Sequence, residues 1–172
     1  EAVVEEEPAE PEPEEEVAVA PEEEPEEEPA EAVAAADFDR ELGETTYANT
    51  CASCHQGQGQ GLPGVFPPLA GHAADIYQLE GGREYMIEVV IYGLSGTISI
   101  DGMTYNGAMP GWGPTLNDEQ IAAVVDHAAT AWGNEEQLDS FTPTSPDEVA
   151  ALRGQGLSTA DMNDRRAELG LE

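Results

Sequence analysis

The segment Cys51-Ala52-Ser53-Cys54-His55 constrains this chain more than any other part of it. It has the C-x-x-C-H pattern, in which two thiols can form thioether bonds to the vinyl groups of a haem and the adjacent imidazole can ligate the iron. The two cysteines are the only ones in the chain, so none remains for a disulfide or a zinc site. The alternative is a redox-active C-x-x-C pair with an unrelated histidine beside it. We predict one covalently attached haem c as the cofactor.

Charge and composition divide the 172 residues into three parts. Residues 1–36 contain 16 glutamates and no basic residue, and the rest of them are Ala, Val and Pro, so we predict a disordered acidic linker. Residues 37–133 are predicted to form one small domain, and a buried haem would enlarge its modest apolar core. Residues 134–172 are predicted to be an extension that wraps around this domain or contacts a partner.

The net charge is −32, with five arginines and no lysine, which argues against nucleic acid or anionic lipid as a partner. No apolar run is long enough to cross a bilayer, and no signal peptide is recognisable. Because the chain begins with Glu1 and not Met, we expect that an upstream segment was removed or omitted. Membrane association is expected only through such an upstream anchor or through a partner.

Local patterns predict an all-α domain of three helices with glycine-rich loops between them. The first helix is predicted from Asp37 to about Asn49 and the second from Gly82 to about Tyr92. Asn117 has the pattern of an N-cap for the last helix. The residues predicted on the buried face of this helix are Ile121, Val124, Val125, Ala128 and Trp132. Residues 95–116 are rich in Gly, Ser, Thr and Pro and are predicted to form a long functional loop. No segment alternates clearly enough to predict a sheet.

The extension contains two further helix starts. Ser145 precedes Pro146 and is followed by acidic residues, which is the pattern of an N-cap with proline at the first helical position. Ser158, with Asp161 three residues later, indicates a second start.

A histidine-ligated haem iron is either open or closed at its second axial position. The candidate ligands are Met86, Met103, Met109, Met162, His72 and His127. Met109 is favoured because it lies in a Gly-Ala-Met-Pro-Gly segment that leads directly into the last helix, and Met103 is its main competitor. Met86 is expected in the core and Met162 in the extension, while both histidines are expected at the surface.

The segment Phe66-Pro67-Pro68-Leu69 follows the haem motif. Proline has no N–H, so carbonyls near it face few competing donors. We predict that one of these carbonyls accepts a hydrogen bond from the second ring nitrogen of His55, which would fix the tautomer and the ring plane. An ordinary rigid loop is the alternative.

Together these motifs resemble the class I c-type cytochromes over about residues 37–133. The matching pattern is Gly43-x-x-x-Tyr47-x-x-x-Cys51-x-x-Cys54-His55, then Pro67, Leu69, and Met109-Pro110 before a final helix. The resemblance implies a small cytochrome c fold around one haem, with His55 and Met109 as iron ligands. It also implies that the Pro67 carbonyl binds His55 and that the first and last helices cross at Gly43. Leu69 and Tyr105 are expected to line the same cofactor pocket.

The resemblance further implies an electron carrier, not an enzyme, which passes single electrons between redox proteins in an extracytoplasmic respiratory or photosynthetic chain. The expected location is the periplasm or the outer face of the cytoplasmic membrane. The stretches 66–71 and 109–112 are similar to the cytochrome subunits of membrane-bound bacterial dehydrogenases, oxidases and quinol-oxidising complexes, so a permanent relay subunit is the main alternative. A peroxidase-like or gas-binding haem is a weaker one.

The acidic chain lacks the lysine-rich docking face of many relatives, so we expect redox partners with a basic face. The rival expectation is docking through an apolar rim that contains Leu62, Val65 and Trp112.

Overall fold

The computed structural model describes residues 38–172. Its α-helices and strands in chain order are α1 (Arg40–Thr50), α2 (Ala52–His55), α3 (Ala73–Tyr77), α4 (Gly82–Tyr92), β1 (Gly93–Ile100), β2 (Met103–Pro110), α5 (Asp118–Thr130), α6 (Pro146–Leu152) and α7 (Thr159–Glu168). Two short 3-10 turns, Glu135–Gln137 and Arg153–Gln155, lie on either side of α6. The predicted acidic linker, residues 1–36, lies outside the described residues.

Helices α1 and α5 pack directly against each other where α1 carries Gly43. A Cβ atom at Gly43 would lie 2.5 Å from the backbone oxygen of Ala123 on α5, which is closer than real Cβ contacts allow. The glycine therefore permits the close approach of the two helices. Helix α1 begins a little later than the predicted Asp37 because the Asp39 side chain caps it, accepting a hydrogen bond from the Leu42 N–H at 2.9 Å.

The second and last predicted helices are present. Helix α4 has the predicted bounds, Gly82–Tyr92. Helix α5 begins with a full capping box in which Asn117 and Gln120 satisfy each other's backbone N–H groups. Four of the five residues predicted on its buried face are buried in it: Ile121, Val124, Val125 and Ala128. Trp132 lies beyond the helix end and packs against Tyr47 with ring centroids 4.8 Å apart.

The all-α prediction is wrong for residues 95–116, because most of this predicted loop is an antiparallel hairpin. Strands β1 and β2 pair in register from Gly93 opposite Pro110 to Ile100 opposite Met103. The turn is Asp101-Gly102, with φ of 51° and 75°, the two positive values that a two-residue hairpin turn of type I′ requires. The hairpin buries its own apolar cluster, formed by Ile98, Ile100 and Tyr105.

Residues 134–172, the C-terminal segment, pack into the main core. Val149 on α6 and Met162 on α7 have no exposed surface and belong to the same apolar cluster as α4 and α5. The capping boxes of Ser145 and Ser158 begin α6 and α7 as the sequence predicts. On α7, Arg165 pairs with the carboxylate of Glu88, which is buried on α4. The segment is therefore a structural part of the described body.

Candidate functional site

Helix α2 presents the C-x-x-C-H motif as one tight turn that continues from α1. The Cys51 N–H donates to the Tyr47 carbonyl, and the His55 N–H donates to the Cys51 carbonyl, both at 2.9 Å. Cys51 and His55 are both buried, with 8% exposed surface each. Burial raises the pKa of the Cys51 thiol, whereas reactive redox cysteines have a lowered pKa. The redox C-x-x-C alternative is therefore disfavoured.

The His55 ring is oriented by a backbone carbonyl twelve residues later. Its Nδ1 atom lies 2.9 Å from the Pro67 oxygen, so Nδ1 carries the proton and donates. Burial lowers the pKa of His55, and the hydrogen bond to Pro67 opposes this effect. The result is a neutral imidazole whose other nitrogen, Nε2, has a free lone pair, which is the form that binds metals.

The loop that brings Pro67 to His55 is held by its own backbone. The Gly61 N–H donates to the His55 carbonyl at 2.9 Å, and the Leu69 N–H donates to the Gly59 carbonyl at 2.7 Å. Gly61 has φ of 63°, and a Cβ there would lie 2.4 Å from the Phe66 oxygen. The turn therefore needs glycine at this position.

Two adjoining cavities lie between α2 and the hairpin. The inner cavity extends into the helical core, and the outer cavity lies beside Cys54 and Trp112. Their walls are largely apolar, and six residues line both: Cys51, His55, Pro67, Leu94, Ile98 and Met109. Leu69 lines the inner cavity and Tyr105 the outer one, so the structure brings every predicted site residue to one of the two.

Among the four methionines, Met109 is the one that lines both cavities together with His55. Met103, on the same strand β2, is 42% exposed and lines neither. Met86 is buried and lines the inner cavity. Met162 is buried in the core and lines neither. The geometry thus separates Met109 from its main competitor.

The two histidines expected at the surface, His72 and His127, are both partly buried in the structure. The Nε2 atom of His72 is buried, and His72 lines the inner cavity. His127 is half-buried and packs between Tyr47 and Trp132, with ring centroids 5.2 and 5.1 Å away. Neither placement follows from neighbouring residues, because both depend on helices that are distant in the sequence.

The residues present fit a haem. The cavities offer apolar walls for a large flat ring, two free thiols on one turn, a neutral imidazole beside them and a thioether from another element. Within residues 38–172 no group of three or more His, Cys, Asp or Glu side chains comes together as a metal cage.

Comparison with known proteins agrees with this chemistry. The family model described as "Cytochrome C oxidase, cbb3-type, subunit III" matches residues 39–127. Cytochrome c-552 of Thermus thermophilus is 50% identical over 130 residues, which are 76% of this chain and 98% of that protein. The chain belongs to the cytochrome c family. Its cofactor is haem c and its function is electron transfer, as in other members of that family.

Two further relatives are named as a separate cytochrome and as the cytochrome subunit of a dehydrogenase. Cytochrome c6 of Tetradesmus obliquus is 36% identical over 88 residues, 51% of this chain and 84% of that protein. The gluconate 2-dehydrogenase cytochrome c subunit of Pantoea cypripedii is 33% identical over 120 residues, 67% of this chain but 24% of that larger protein.

Within residues 38–172, no helix has the length and apolar character needed to span a bilayer.

Proposed function

We propose that this chain carries one haem c, attached through Cys51 and Cys54, with His55 and Met109 as its axial ligands, and that it passes single electrons between proteins. The observation that carries this proposal is that His55 and Met109, which belong to separate elements, line the same two cavities. The bound haem supplies an iron that alternates between the ferrous and ferric states.

The chain's own residues have distinct tasks in this proposal. The Pro67 carbonyl holds the Nδ1 proton of His55, which leaves Nε2 as the ligand atom. Met109 supplies a thioether, a ligand type that favours ferrous iron and raises the reduction potential. Apolar walls exclude water, and Leu94 and Ile98 on β1 close the cavities on the side of the hairpin.

Covalent attachment can be tested directly. The protein is produced in cells that mature c-type cytochromes and is separated on a denaturing gel. We expect one haem to remain with each chain. In Cys51→Ala and Cys54→Ala, the pyridine haemochrome band should shift towards that of a haem with one remaining vinyl group. A haem that is lost on denaturation of the unmodified chain would contradict the proposal.

We further propose an extracytoplasmic location, because thioether attachment is an extracytoplasmic process in the relatives that this chain resembles. The named relatives include both separate cytochromes and a dehydrogenase subunit, so both a free carrier and a relay subunit fit. Purification from native membranes would distinguish them by the subunits that remain bound.

For the redox partner we propose a basic docking face. The chain carries 37 acidic residues against five arginines, and four of these arginines already pair with carboxylates within residues 38–172: Arg40, Arg83, Arg153 and Arg165. Opposite potentials steer encounters, and salt screens them over about 10 Å at 0.1 M. The second-order rate of electron transfer, measured by stopped flow, should therefore fall as salt rises.

The rival docking mode uses an apolar surface beside the outer cavity. Leu62 and Val65 are large apolar side chains that are about half exposed, at 48% and 49%, and Val65 and Trp112 line that cavity. A rate that stays flat or rises with salt would contradict electrostatic steering and favour this surface.

A further inference from the structure

Gln56, the residue directly after the C-x-x-C-H motif, has a backbone conformation that residues other than glycine rarely adopt. Its φ is 65° and its ψ is 159°. This region of backbone space is costly for any residue with a Cβ atom, and such a residue stays there only when its surroundings hold it. Gln56 therefore needs neighbours that compensate for the strain.

The hydroxyl of Tyr47 is in position to hold the Gln56 backbone. It donates a hydrogen bond to the Gln56 carbonyl oxygen at 2.6 Å, and the Gly59 N–H donates to the same oxygen at 3.0 Å. The backbone carbonyl of Tyr47 accepts from the Cys51 N–H, so this one residue bonds to both ends of the motif. Burial raises the pKa of Tyr47, so its hydroxyl keeps the proton that it donates.

The Tyr47 side chain is itself fixed in place. It is 3% exposed, and its ring packs against those of Trp132 and His127, with centroids 4.8 and 5.2 Å away. Trp132 also covers Gly59, where a Cβ atom would lie 2.4 Å from the indole ring. The hydroxyl is therefore presented by a side chain that has little freedom to move, which makes it a rigid hydrogen-bond donor.

The turn at Gln56 sets the direction of the loop that orients the His55 ring. The chain turns back at this residue, and the Gly61 N–H reaches the His55 carbonyl at 2.9 Å. The same loop brings the Pro67 oxygen to 2.9 Å from His55 Nδ1. Relaxation of Gln56 to an ordinary conformation would change the direction in which this loop leaves α2. The hydrogen bond between Nδ1 and Pro67 would then weaken.

We infer that the Tyr47 hydroxyl is a positioning group for the iron ligand His55. It holds Gln56 in its strained conformation and so directs the loop that brings the Pro67 carbonyl to Nδ1. The ring of Tyr47 packs at the crossing of α1 and α5, a task that phenylalanine could also perform, whereas the hydroxyl has this separate role. The inference rests on the proposed haem site and concerns how the chain orients the ligand there.

The test compares Tyr47→Phe with Tyr92→Phe. Each removes one hydroxyl that donates to a backbone carbonyl at 2.6 Å, but the bond of Tyr92 leads to Leu152 and not to the haem motif. The readout is the rate at which the His55 Nδ1 proton exchanges with solvent, measured by NMR in the reduced, diamagnetic protein. We expect exchange about fivefold faster in Tyr47→Phe, the factor that one hydrogen bond is worth. Tyr92→Phe should change it less than about twofold.

A second substitution tests whether the hydroxyl acts through residue 56. Glycine adopts the Gln56 conformation without strain, so Gln56→Gly alone should leave the exchange rate nearly unchanged. In Tyr47→Phe combined with Gln56→Gly, the rate should return most of the way to that of the unmodified chain. The reduction potential should follow, because a weaker bond from Nδ1 makes His55 a less basic ligand and increases the ratio of reduced to oxidised protein.

An unchanged exchange rate in Tyr47→Phe, or a combined variant that exchanges as fast as Tyr47→Phe alone, overturns the inference. In either case a covalent haem with normal axial ligation leaves the proposed function intact. If Tyr47→Phe folds only together with Gln56→Gly, that rescue supports the inference, and failure of both to fold overturns it. An unmodified chain without covalent haem overturns the proposed function as well.

Discussion

The two walls of the cavities are supported in different ways. The helical wall, formed by α1, α2 and the loop to Leu69, places His55 through bonds between residues close in sequence, such as His55 to Pro67. It also rests on distant residues, since α1 packs against α5 and Asn134 donates to the Leu69 carbonyl. The hairpin wall, formed by β1 and β2, also depends on the C-terminal segment. Ser95 bonds to Thr159 and Asn163, and the Ser99 N–H donates to the Glu172 oxygen. The position of Met109 is therefore coupled to the C-terminal segment, whereas the hydrogen bonds of His55 itself reach only residues within twelve positions.

The largest expected effect comes from removing a core residue of α7, the helix that packs against the hairpin wall. Met162 has no exposed surface, so Met162→Ala should leave a cavity and reduce the free energy of unfolding by about 2–5 kcal/mol. Denaturant unfolding followed by circular dichroism measures this. The exposed Met103→Ala is the control and should change it by less than about 0.5 kcal/mol. Equal effects in the two variants would show that the C-terminal segment does not support the core.

The next prediction concerns the start of the C-terminal segment. Both oxygens of the buried Asp126 carboxylate on α5 accept from the Thr144 N–H, at 3.1 and 3.0 Å. Burial raises the pKa of Asp126 from 3.8 to about 7, although the hydrogen bonds from Thr144 oppose this. The folded chain therefore holds this proton more tightly than the unfolded one. Its stabilising contribution is fully present below pH 3.8 and is lost as pH rises to about 7.

Unfolding titrations of the unmodified chain and Asp126→Asn between these pH values isolate this contribution. The free energy of unfolding of the unmodified chain, relative to that of Asp126→Asn, should fall by a few kcal/mol as pH rises. Carboxyl groups that do not interact with Asp126 cancel in the difference. Glu148 is the exception, because its carboxylate also raises the pKa of Asp126. Parallel pH profiles would show that the Asp126 carboxyl does not couple this segment to α5.

The helical wall is tested at its close helix crossing. Gly43→Ala would place a Cβ atom against the Ala123 backbone and should cost about 1–3 kcal/mol by forcing α1 from α5. Gly57→Ala, where nothing lies within 4 Å of the added atom, is the control and should have little effect on thermal unfolding. If the two variants melt alike, the glycine is not what allows the helices to approach.

The smallest effect is expected at a single hydrogen bond of the hairpin wall. Ser95→Ala removes the bond to the Thr159 hydroxyl, which is 2.7 Å long, and should cost about 1 kcal/mol. Because the bond supports the strand opposite Met109, we expect earlier loss of the methionine–iron absorbance on heating than of helical signal. Simultaneous loss of both signals in Ser95→Ala would argue against separate support of the two walls.

The same contrast explains how much the sequence could predict. The bounds of α4 and the capping boxes at Asn117, Ser145 and Ser158 are local signals, and they predict the helix starts well. The sequence pattern does not predict the hairpin, although Asp101-Gly102 is a strong type I′ turn signal, because the polar and glycine-rich strands beside the turn obscure the alternation of apolar and polar residues. The sequence also does not predict that Arg166 and His72 line the inner cavity, because their burial depends on packing between distant segments.

The central claim is that the hairpin wall supplies the second iron ligand through Met109. The ferric absorbance of Met109→Ala and Met103→Ala, two substitutions on the same strand, tests it most directly. We predict that Met109→Ala loses the sulfur–iron charge-transfer band and becomes high-spin or takes up external ligands, while Met103→Ala retains the band. A normal band in Met109→Ala would contradict the claim, as would its absence from the unmodified chain, which would favour an open, peroxidase-like or gas-binding iron.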